Sequence, residues 1–430
     1  MESILLLIGL FFFLCLLRVP IPFSLGISSL IVILQIGVAP RQVVVHMMRN
    51  TDMFSLLAIP LFILAGEIMN KSDLTERLLT FATALVGRIR GGLAHVNVVV
   101  SMIMAGVSGS STADSAGVGA VLIPAMVRAG YPANFSVAIT AMSSTLGNII
   151  PPSIYMVVYG AMGGVSIGAL FLGGAIPGLL IGLTQMGAIA FNAKRKNYPY
   201  AEQMTMKERF QATQRASLAL LIPVIIVGGI VSGIYSPTEA AVTLVFYCLF
   251  ITLFIYKSLK WNEIPGVMLA GAKVSVLPLF TVACAGPFGW LIGYMRGPDM
   301  VASAMLSITQ EPLLVMAMLI AFLLVLGTFL SEIATIIIFL PIIQKLGEMG
   351  GMHPVQLGVI VVMVLCLGLV TPPYGICLLI CCGIGKVNVM DAFWQCGMFV
   401  LLFLLIVSLC VLVPDLTLWL PSVVMPDFRM

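Results

Sequence analysis

Long apolar runs limit what this chain can fold into. Of its 430 residues, 60% are hydrophobic and 9% are charged, whereas about a quarter of the residues in a soluble domain are charged. Many runs approach or exceed the roughly 20 residues that cross a bilayer as an α-helix. They are continuous, unlike the alternating strands of a transmembrane β-barrel. The sequence therefore predicts an all-α polytopic membrane protein.

The first apolar run, 3–17, is expected to remain in the protein as a membrane segment. It follows Glu2 instead of a basic start, and no small-residue cleavage site comes after it.

Motifs for catalysis or metal binding are missing from the sequence. The nine cysteines are scattered through apolar runs, and the three histidines lie in separate segments, so neither disulfides nor a zinc site is expected. No GxxxxGK[ST] motif occurs, which excludes a P-loop ATPase. No nucleophile–base–acid arrangement is present either, and we expect the chain not to be an enzyme.

A basic polar stretch at 194–215 divides the chain nearly in half, and its excess of Lys and Arg predicts a cytoplasmic loop. The two halves share one layout. A polar tip in an apolar run is followed by a single proline and then by a Pro-Pro pair: Gly109, Pro124 and Pro151–Pro152 in the first half, and Gly327, Pro341 and Pro372–Pro373 in the second. Paired interrupted segments of this kind are typical of inverted-repeat transporters.

Each polar tip is predicted to be the turn of a re-entrant helical hairpin, because its flanking apolar arms look too short to cross a bilayer. Non-helical backbone at membrane depth must lie within protein or along a watery cavity. At the first tip, one half-helix is expected to end near Gly106–Val107. The next is expected to begin near Ser111–Thr112, with Ser111 as its cap and Asp114 in its first turn.

The backbone at the tips and at the Pro-Pro breaks supplies groups that can bind ions. Proline interrupts helical hydrogen bonding, so the carbonyls of 147–150 and 368–371 are expected to be free for a cation. The half-helix N-terminus suits an anion. Ordinary Ser/Gly packing between helices is the alternative; it explains one such stretch better than a matched pair.

Four acidic residues in or near apolar runs are candidates for a functional role, since intramembrane acids are costly. They are Glu67, Asp114, Glu239 and Glu332. Glu239 follows Ser236–Pro237 and is equally typical of a first helical turn, whereas Glu67 lies near a segment end, where it can face water or Lys71.

Six segments together resemble the large membrane subunit of tripartite ATP-independent periplasmic (TRAP) transporters for organic acids. They are 59–69, 87–101, 106–126, 147–153 (GNIIPPS), 233–241 (GIYSPTEAA) and 368–375 (GLVTPPYG). The resemblance implies an elevator-type fold with two re-entrant hairpins and broken helices, driven by Na⁺. It also implies a separate small four-helix membrane subunit, a periplasmic substrate-binding protein and a multi-pass location in the bacterial inner membrane.

Under this resemblance the chain divides into alternating scaffold and transport segments. The expected segments are scaffold helices at 1–90, a first transport repeat at 91–193 with its tip near 108–112, the basic loop at 194–215, scaffold helices at 216–308, a second transport repeat at 309–390 with its tip near 327–332, and a C-terminal helix and tail at 391–430.

The resemblance also assigns residues to sites. Sodium is expected at Ser108, Ser111, Gly147, Ile150 and Pro152 in the first half, and at Gly327, Gly368, Thr371 and Pro373 in the second. The substrate anion is expected between the tips, near Ser110, Thr112, Asn148, Thr328 and Ser331. Two departures from the family pattern affect the second half: the acid of its tip, Glu332, stands one position later, and Cys377 replaces an Asn.

The sequence leaves the substrate open among C4-dicarboxylates, sialic acids, sugar acids and keto acids, because no Arg lies in either tip to pair with a carboxylate. A self-sufficient ion-coupled symporter of the same architecture, without a binding protein, is the alternative function. An ion channel fits less well, because paired tips would block an open path.

Overall fold

The computed structural model describes residues 2–196, 198–201, 204–425 and 428, and over this part of the chain it is all-helical, without a β-strand. The helices of the first half are α1 (Glu2–Leu16), α2 (Ile21–Gln35), α3 (Arg41–Thr51), α4 (Ala58–Lys71), α5 (Leu74–Val86), α6 (Gly92–Ser108), α7 (Ser111–Arg128), α8 (Ala133–Ser144), α9 (Ile154–Gly163) and α10 (Ile167–Lys196). Those of the second half are α11 (Met206–Val231), α12 (Pro237–Phe250), α13 (Ile264–Tyr294), α14 (Gly297–Leu306), α15 (Pro312–Gly327), α16 (Glu332–Met349), α17 (Pro354–Gly368), α18 (Ile376–Gly385), α19 (Val389–Leu412) and α20 (Asp415–Val424).

Six helices of the described residues are long and apolar enough to cross a membrane. They are Phe54–Lys71, Ile167–Lys196, Met206–Val231, Pro237–Ile255, Trp261–Tyr294 and Val389–Leu412. The prediction of an all-α polytopic membrane protein is confirmed at this level.

The basic stretch predicted as a loop over 194–215 is helical at both ends. Helix α10 continues to Lys196, and α11 begins at Met206. Thr205 caps α11, because its hydroxyl accepts from the Glu208 backbone N–H while the Glu208 carboxylate accepts from the Thr205 backbone N–H. Capping therefore shortens the loop from its C-terminal side.

The two halves repeat the same order of helices, as the layout of the sequence suggested. In the first, α6 and α7 pack together as a hairpin, α8 leads through a 3₁₀ turn to the Pro-Pro break, and α9 and α10 follow. In the second, α15 and α16 form the hairpin, α17 leads to the second break, and α18 and α19 follow. In each half a single proline lies inside the second hairpin helix, Pro124 in α7 and Pro341 in α16.

The hairpin arms are longer than the apolar runs suggested. They contain 17 and 18 residues in the first hairpin and 16 and 18 in the second, close to the lower limit for crossing a bilayer. In α6, α7 and α16 the reason is that the helix continues through polar residues beyond the apolar run, whereas α15 is apolar throughout. Arm length therefore does not establish re-entry, which stays a prediction based on the polar tips.

The two halves interlock reciprocally. The second hairpin helix of each half packs against the helix that follows the break of the other half: α7 against α18, and α16 against α9. The helix before each break also packs against the other half: α8 packs on α18 and α19, and α17 packs on α9 and α10. The two tips and the two breaks are thereby held together.

A glycine in each half allows the break to lie directly against the hairpin tip. A Cβ on Gly147 would come within 2.8 Å of an Asp114 carboxylate oxygen and 3.0 Å of the Ser111 backbone nitrogen. A Cβ on Gly368 would overlap the carbonyl oxygen of Gly327 and come within 2.7 Å of its carbonyl carbon. Each glycine lies four residues before the first proline of its pair, so the two contacts are equivalent.

Backbone hydrogen bonds also join each break to its tip. The Ile154 N–H donates to the Gly109 carbonyl at 3.5 Å, and the Tyr374 N–H donates to the Thr328 carbonyl at 3.0 Å. Both donors follow a Pro-Pro pair, and both acceptors lie in a hairpin turn. Groups that neither helix can satisfy are thus paired with each other.

The glycine contacts give a test of this packing. We expect Gly147→Ala and Gly368→Ala each to destabilise the protein by about 1–3 kcal/mol, because an added methyl meets backbone that cannot move aside without shifting the tip. The thermal midpoint of the detergent-purified protein measures the effect.

Gly383→Ala is the matched control. Gly383 lies in α18, and a Cβ there would meet nothing within 4 Å, so this variant should match or exceed the native midpoint. Equal midpoints for all three variants would contradict the close packing of tip on break.

Candidate functional site

A cavity of about 690 Å³ lies where the two tips and the two breaks meet. Its wall includes Ser110 and Thr112 from the first tip and Ser331 and Glu332 from the second. Asn148, Ile154 and Tyr155 line it from the first break, and Tyr374 and Ile376 line it from the second. The turn between α1 and α2 with the start of α2, Ile63 of α4 and one face of α13 complete the wall.

A serine caps the second helix of each hairpin and faces the cavity. The Ser110 hydroxyl accepts from the Ala113 N–H at 3.4 Å, and the Ser331 hydroxyl accepts from the Ala334 N–H at 3.4 Å. The cap of α7 is therefore Ser110 and not Ser111, because Ser110 has the extended backbone of an N-cap whereas Ser111 is already the first helical residue.

Four of the five residues predicted to contact the substrate line the cavity: Ser110, Thr112, Asn148 and Ser331. Thr328 does not. Its hydroxyl donates to the Val325 carbonyl at 2.7 Å, as is common for threonine at the end of a helix. Which of these groups contacts a substrate stays a prediction.

The first set of residues predicted for sodium includes Ser108 and Ser111, which do not line the cavity, unlike Ser110 and Thr112. The Ser108 hydroxyl donates to Asp114 Oδ1 at 2.7 Å, and the Ser111 hydroxyl accepts from Asn148 Nδ2 at 2.7 Å. Asp114 is fully buried, and its second oxygen has no hydrogen-bond partner within the described residues. An unpaired buried carboxylate oxygen is a suitable ligand for a cation.

The rest of that set is backbone around the first break. Gly147 packs on the tip, and the Pro152 carbonyl lies near Gly109, where a Cβ would be 2.8 Å away. Ile150 directs its side chain towards Gly178 of α10, and its N–H donates to the Leu146 carbonyl.

The second set is less suited to a cation. The Gly368 carbonyl accepts from the Thr371 N–H, and the Thr371 carbonyl accepts from the Gly375 N–H. Two of the carbonyl oxygens expected to bind sodium are therefore already used in hydrogen bonds. The Thr371 hydroxyl donates to the Leu367 carbonyl at 2.7 Å. Gly327 packs against Gly368, and Pro373 is exposed.

Of the acidic candidates, Glu332 is the one in the cavity wall. It is buried, and Tyr155 of the first half donates to its Oε2 at 3.0 Å. Glu239 caps α12 together with Ser236 and is exposed, which agrees with the first-turn interpretation. Glu67 borders a separate cavity of about 360 Å³ beside Lys71.

The sequence analysis missed two basic residues in the cavity wall, Arg18 and Lys273. Arg18 follows α1 as an ordinary helix-terminal arginine, and nothing in its neighbourhood signals a site. Lys273, a lone basic residue inside the apolar helix α13, could have been found by searching the apolar runs for basic as well as acidic residues.

The comparisons with known proteins agree with this architecture. Residues 8–416 match the family model described as tripartite ATP-independent periplasmic transporter, DctM component. The chain is similar to the C4-dicarboxylate TRAP transporter large permease protein DctM of Pseudomonas aeruginosa, with 38% identity over 82% of this chain and 83% of that protein. It is similar to the sialic acid TRAP transporter large permease protein SiaM of Vibrio cholerae, with 36% identity over 80% of each chain.

A third relative is the 2,3-diketo-L-gulonate TRAP transporter large permease protein YiaN of Escherichia coli, with 36% identity over 86% of this chain and 87% of that protein. The family match covers both hairpins and both breaks. The chain therefore belongs to the DctM family, the large membrane permease subunits of tripartite ATP-independent periplasmic transporters.

Proposed function

We propose that this chain is the translocating subunit of a Na⁺-coupled secondary transporter that imports an organic acid by an elevator mechanism. A periplasmic binding protein delivers the acid, and a small four-helix membrane subunit braces the scaffold helices in the bacterial inner membrane. The observation that carries the proposal is the convergence of both tips and both breaks on one cavity, whose largely apolar wall carries the hydroxyl, amide and charged groups of those segments.

The cavity has the chemistry to bind an organic anion. Ser110 and Ser331 each stand at the N-terminus of a helix, where backbone N–H groups favour negative charge. The Ser331 hydroxyl accepts from its helix, so its hydrogen is available to a ligand. The Ser110 hydroxyl accepts from its helix and shares a hydrogen bond with the Thr112 hydroxyl at 3.1 Å, so these two hydroxyls together have one hydrogen left for a ligand. Asn148, which is 1% exposed, has a side-chain oxygen without a partner among the described residues, and this oxygen can accept a hydrogen bond from a hydroxyl group of the substrate.

Sodium coupling follows from what lies behind the first tip. The unpaired Asp114 oxygen, beside Ser108, Ser111 and Gly147, offers a negative ligand to a small cation. A cation there would draw the tip and the break together, and thereby order the wall that holds the substrate. Binding of Na⁺ and binding of the acid would then favour each other.

The acid itself is of the class that the relatives' names describe: a C4-dicarboxylate, a sialic acid or a sugar-derived keto acid. Proteoliposomes containing the chain with its small subunit and binding protein, tested with labelled succinate, N-acetylneuraminate and 2,3-diketo-L-gulonate, provide the test. We expect an inward Na⁺ gradient to drive accumulation of one of them and an equal K⁺ gradient not to. Accumulation that ignores Na⁺, or no accumulation of any acid, would contradict the proposal.

Two threonines of the tips form a matched pair for the substrate site. Thr112→Val should raise the KM for uptake about 3- to 10-fold, because Thr112 lines the cavity and its hydroxyl is a neutral hydrogen-bonding group. Thr328→Val should leave KM unchanged, because Thr328 faces its own helix. Initial uptake rates over a range of acid concentrations measure both, and equal KM values would count against this placement of the substrate.

Substitutions of three hydroxyl residues test the predicted sodium site. Ser108→Ala, Ser111→Ala and Thr371→Ala should raise the Na⁺ concentration that gives half-maximal uptake several-fold, since each removes a hydroxyl next to the expected ion. Insertion into the membrane should be unaffected. The matched control is Ser408→Ala, because Ser408 is an exposed serine of α19 whose hydroxyl donates to its own helix. An unchanged Na⁺ dependence in all three site variants would show that sodium binds elsewhere.

A further inference from the structure

Two basic side chains line the cavity from helices outside both hairpins. Arg18 lies in the turn between α1 and α2, and Lys273 lies in α13. The described wall of the cavity thus contains two basic residues against one acidic residue, Glu332. Tyr155 donates to one oxygen of Glu332, and the other has no partner among the described residues. Because the two basic residues outnumber this single acid, the cavity can accommodate one further negative charge.

Arg18 occupies a backbone conformation that favours glycine. Its φ is +63°, in the left-handed region, which carries a steric cost for residues with a Cβ. A basic residue also interacts favourably with the carbonyl end of a helix, and Arg296 after α13 is an example, with φ +56°. Arg18 lines the cavity, whereas Arg296 does not, so the Arg18 side chain can contact an anion bound in the cavity.

Lys273 lies inside an apolar helix, nine residues after the start of α13 at Ile264. This helix is part of the candidate membrane span Trp261–Tyr294. A charged side chain at such depth normally faces a watery cavity or a partner of opposite charge. The ion pairs among the described residues are Arg77–Asp73 and Lys345–Glu348, so neither Lys273 nor Arg18 is neutralised by a described acid.

From this placement we infer that Arg18 and Lys273 bind the acidic group of the transported substrate, while the hydroxyls of the tips bind the remainder. The inference rests on the proposed function and adds the residues that select for charge. Arginine and lysine form charge-assisted hydrogen bonds with carboxylates or sulfonates. The site therefore takes anions and rejects uncharged polyols or amides of similar shape.

The positions of the two cations also have a mechanical consequence. The bound anion contacts the α1–α2 turn and α13 on one side and the hairpin tips on the other. If the hairpins move relative to these helices, the acid must separate from Arg18 and Lys273. Binding of the acid to both basic side chains therefore favours the arrangement seen here.

The test uses Arg18→Gly and Lys273→Met in proteoliposomes with the small subunit and binding protein, with whichever of succinate, N-acetylneuraminate or 2,3-diketo-L-gulonate the native protein accumulates. Each variant should raise the KM about tenfold or more, since each removes a charge-assisted contact. The preference for the acid over its amide, measured by competition, should fall by a similar factor. Lys273→Arg should retain most of the native preference, and the Na⁺ dependence should be unchanged in all three variants.

Two controls separate charge selection from stability and from general positive charge. Arg296→Gly alters a left-handed arginine outside the cavity, and Lys260→Met removes an exposed lysine outside it; both should keep the native KM. Arg18→Gly removes the Cβ of a residue with a left-handed backbone and thereby its steric cost. The thermal midpoint of this variant should therefore equal or exceed the native value.

Three outcomes would overturn the inference. The first is Na⁺-driven acid uptake by Arg18→Gly and Lys273→Met with native KM and native acid-over-amide preference. The second is an effect seen in vesicles containing phosphatidylglycerol and absent from purely zwitterionic vesicles, which would identify a lipid phosphate as the anion. The third is a similar loss in the control variants. Failure of the native protein to accumulate any acid would instead refute the proposed function.

Discussion

Backbone polar groups in an apolar interior must find hydrogen-bond partners, and the rest of this structure depends on how two interrupted regions meet that requirement. A hairpin turn and a Pro-Pro break both expose N–H and carbonyl groups that no helix satisfies. The two kinds of interruption are placed against each other, with Gly109 and Thr328 accepting from residues after the breaks. Gly147 and Gly368 make the close approach possible, because either would collide with a tip if it carried a Cβ.

The reciprocal packing of the two halves brings both tips and both breaks together at one site. Because α7 packs on α18 while α16 packs on α9, each tip lies beside the break of the other half as well as its own. The Tyr155–Glu332 hydrogen bond joins the halves at the cavity wall. Polar groups that are far apart in sequence therefore face one cavity, while Ser108, Ser111 and Asp114 lie behind it. In the proposed function the acid and the sodium ion would therefore occupy separate locations, so that both could bind at once.

Much of this arrangement was predictable from the sequence, because Gly, Ser and Pro interrupt apolar helices for local reasons. The two hairpins and the two breaks followed from that signal, and four of the five residues that the family resemblance assigned to the substrate line the cavity. The α7 cap was misplaced by one residue, since Ser110 and Ser111 differ in backbone conformation and not in chemistry. Three of the four arms, α6, α7 and α16, came out longer than expected, because helices extend through polar residues once tertiary packing supports them. Lys273 could have been singled out as a basic residue in an apolar run. Its position beside the tips, like that of Arg18, could not, because it depends on long-range packing of α2 and α13.

In the proposed mechanism the hairpins and breaks form one unit that moves relative to the remaining helices. Spin labels at exposed Val121 of α7, Val224 of α11 and Leu379 of α18 test it by double electron–electron resonance. Eight of the nine native cysteines are buried, so labelling in a Cys15→Ser background is selective. If the hairpins and breaks move as one unit, Na⁺ with substrate should change the Val121–Val224 distance distribution and leave the Val121–Leu379 distance distribution unchanged. A constant Val121–Val224 distance, or an equal change in both pairs, would contradict it.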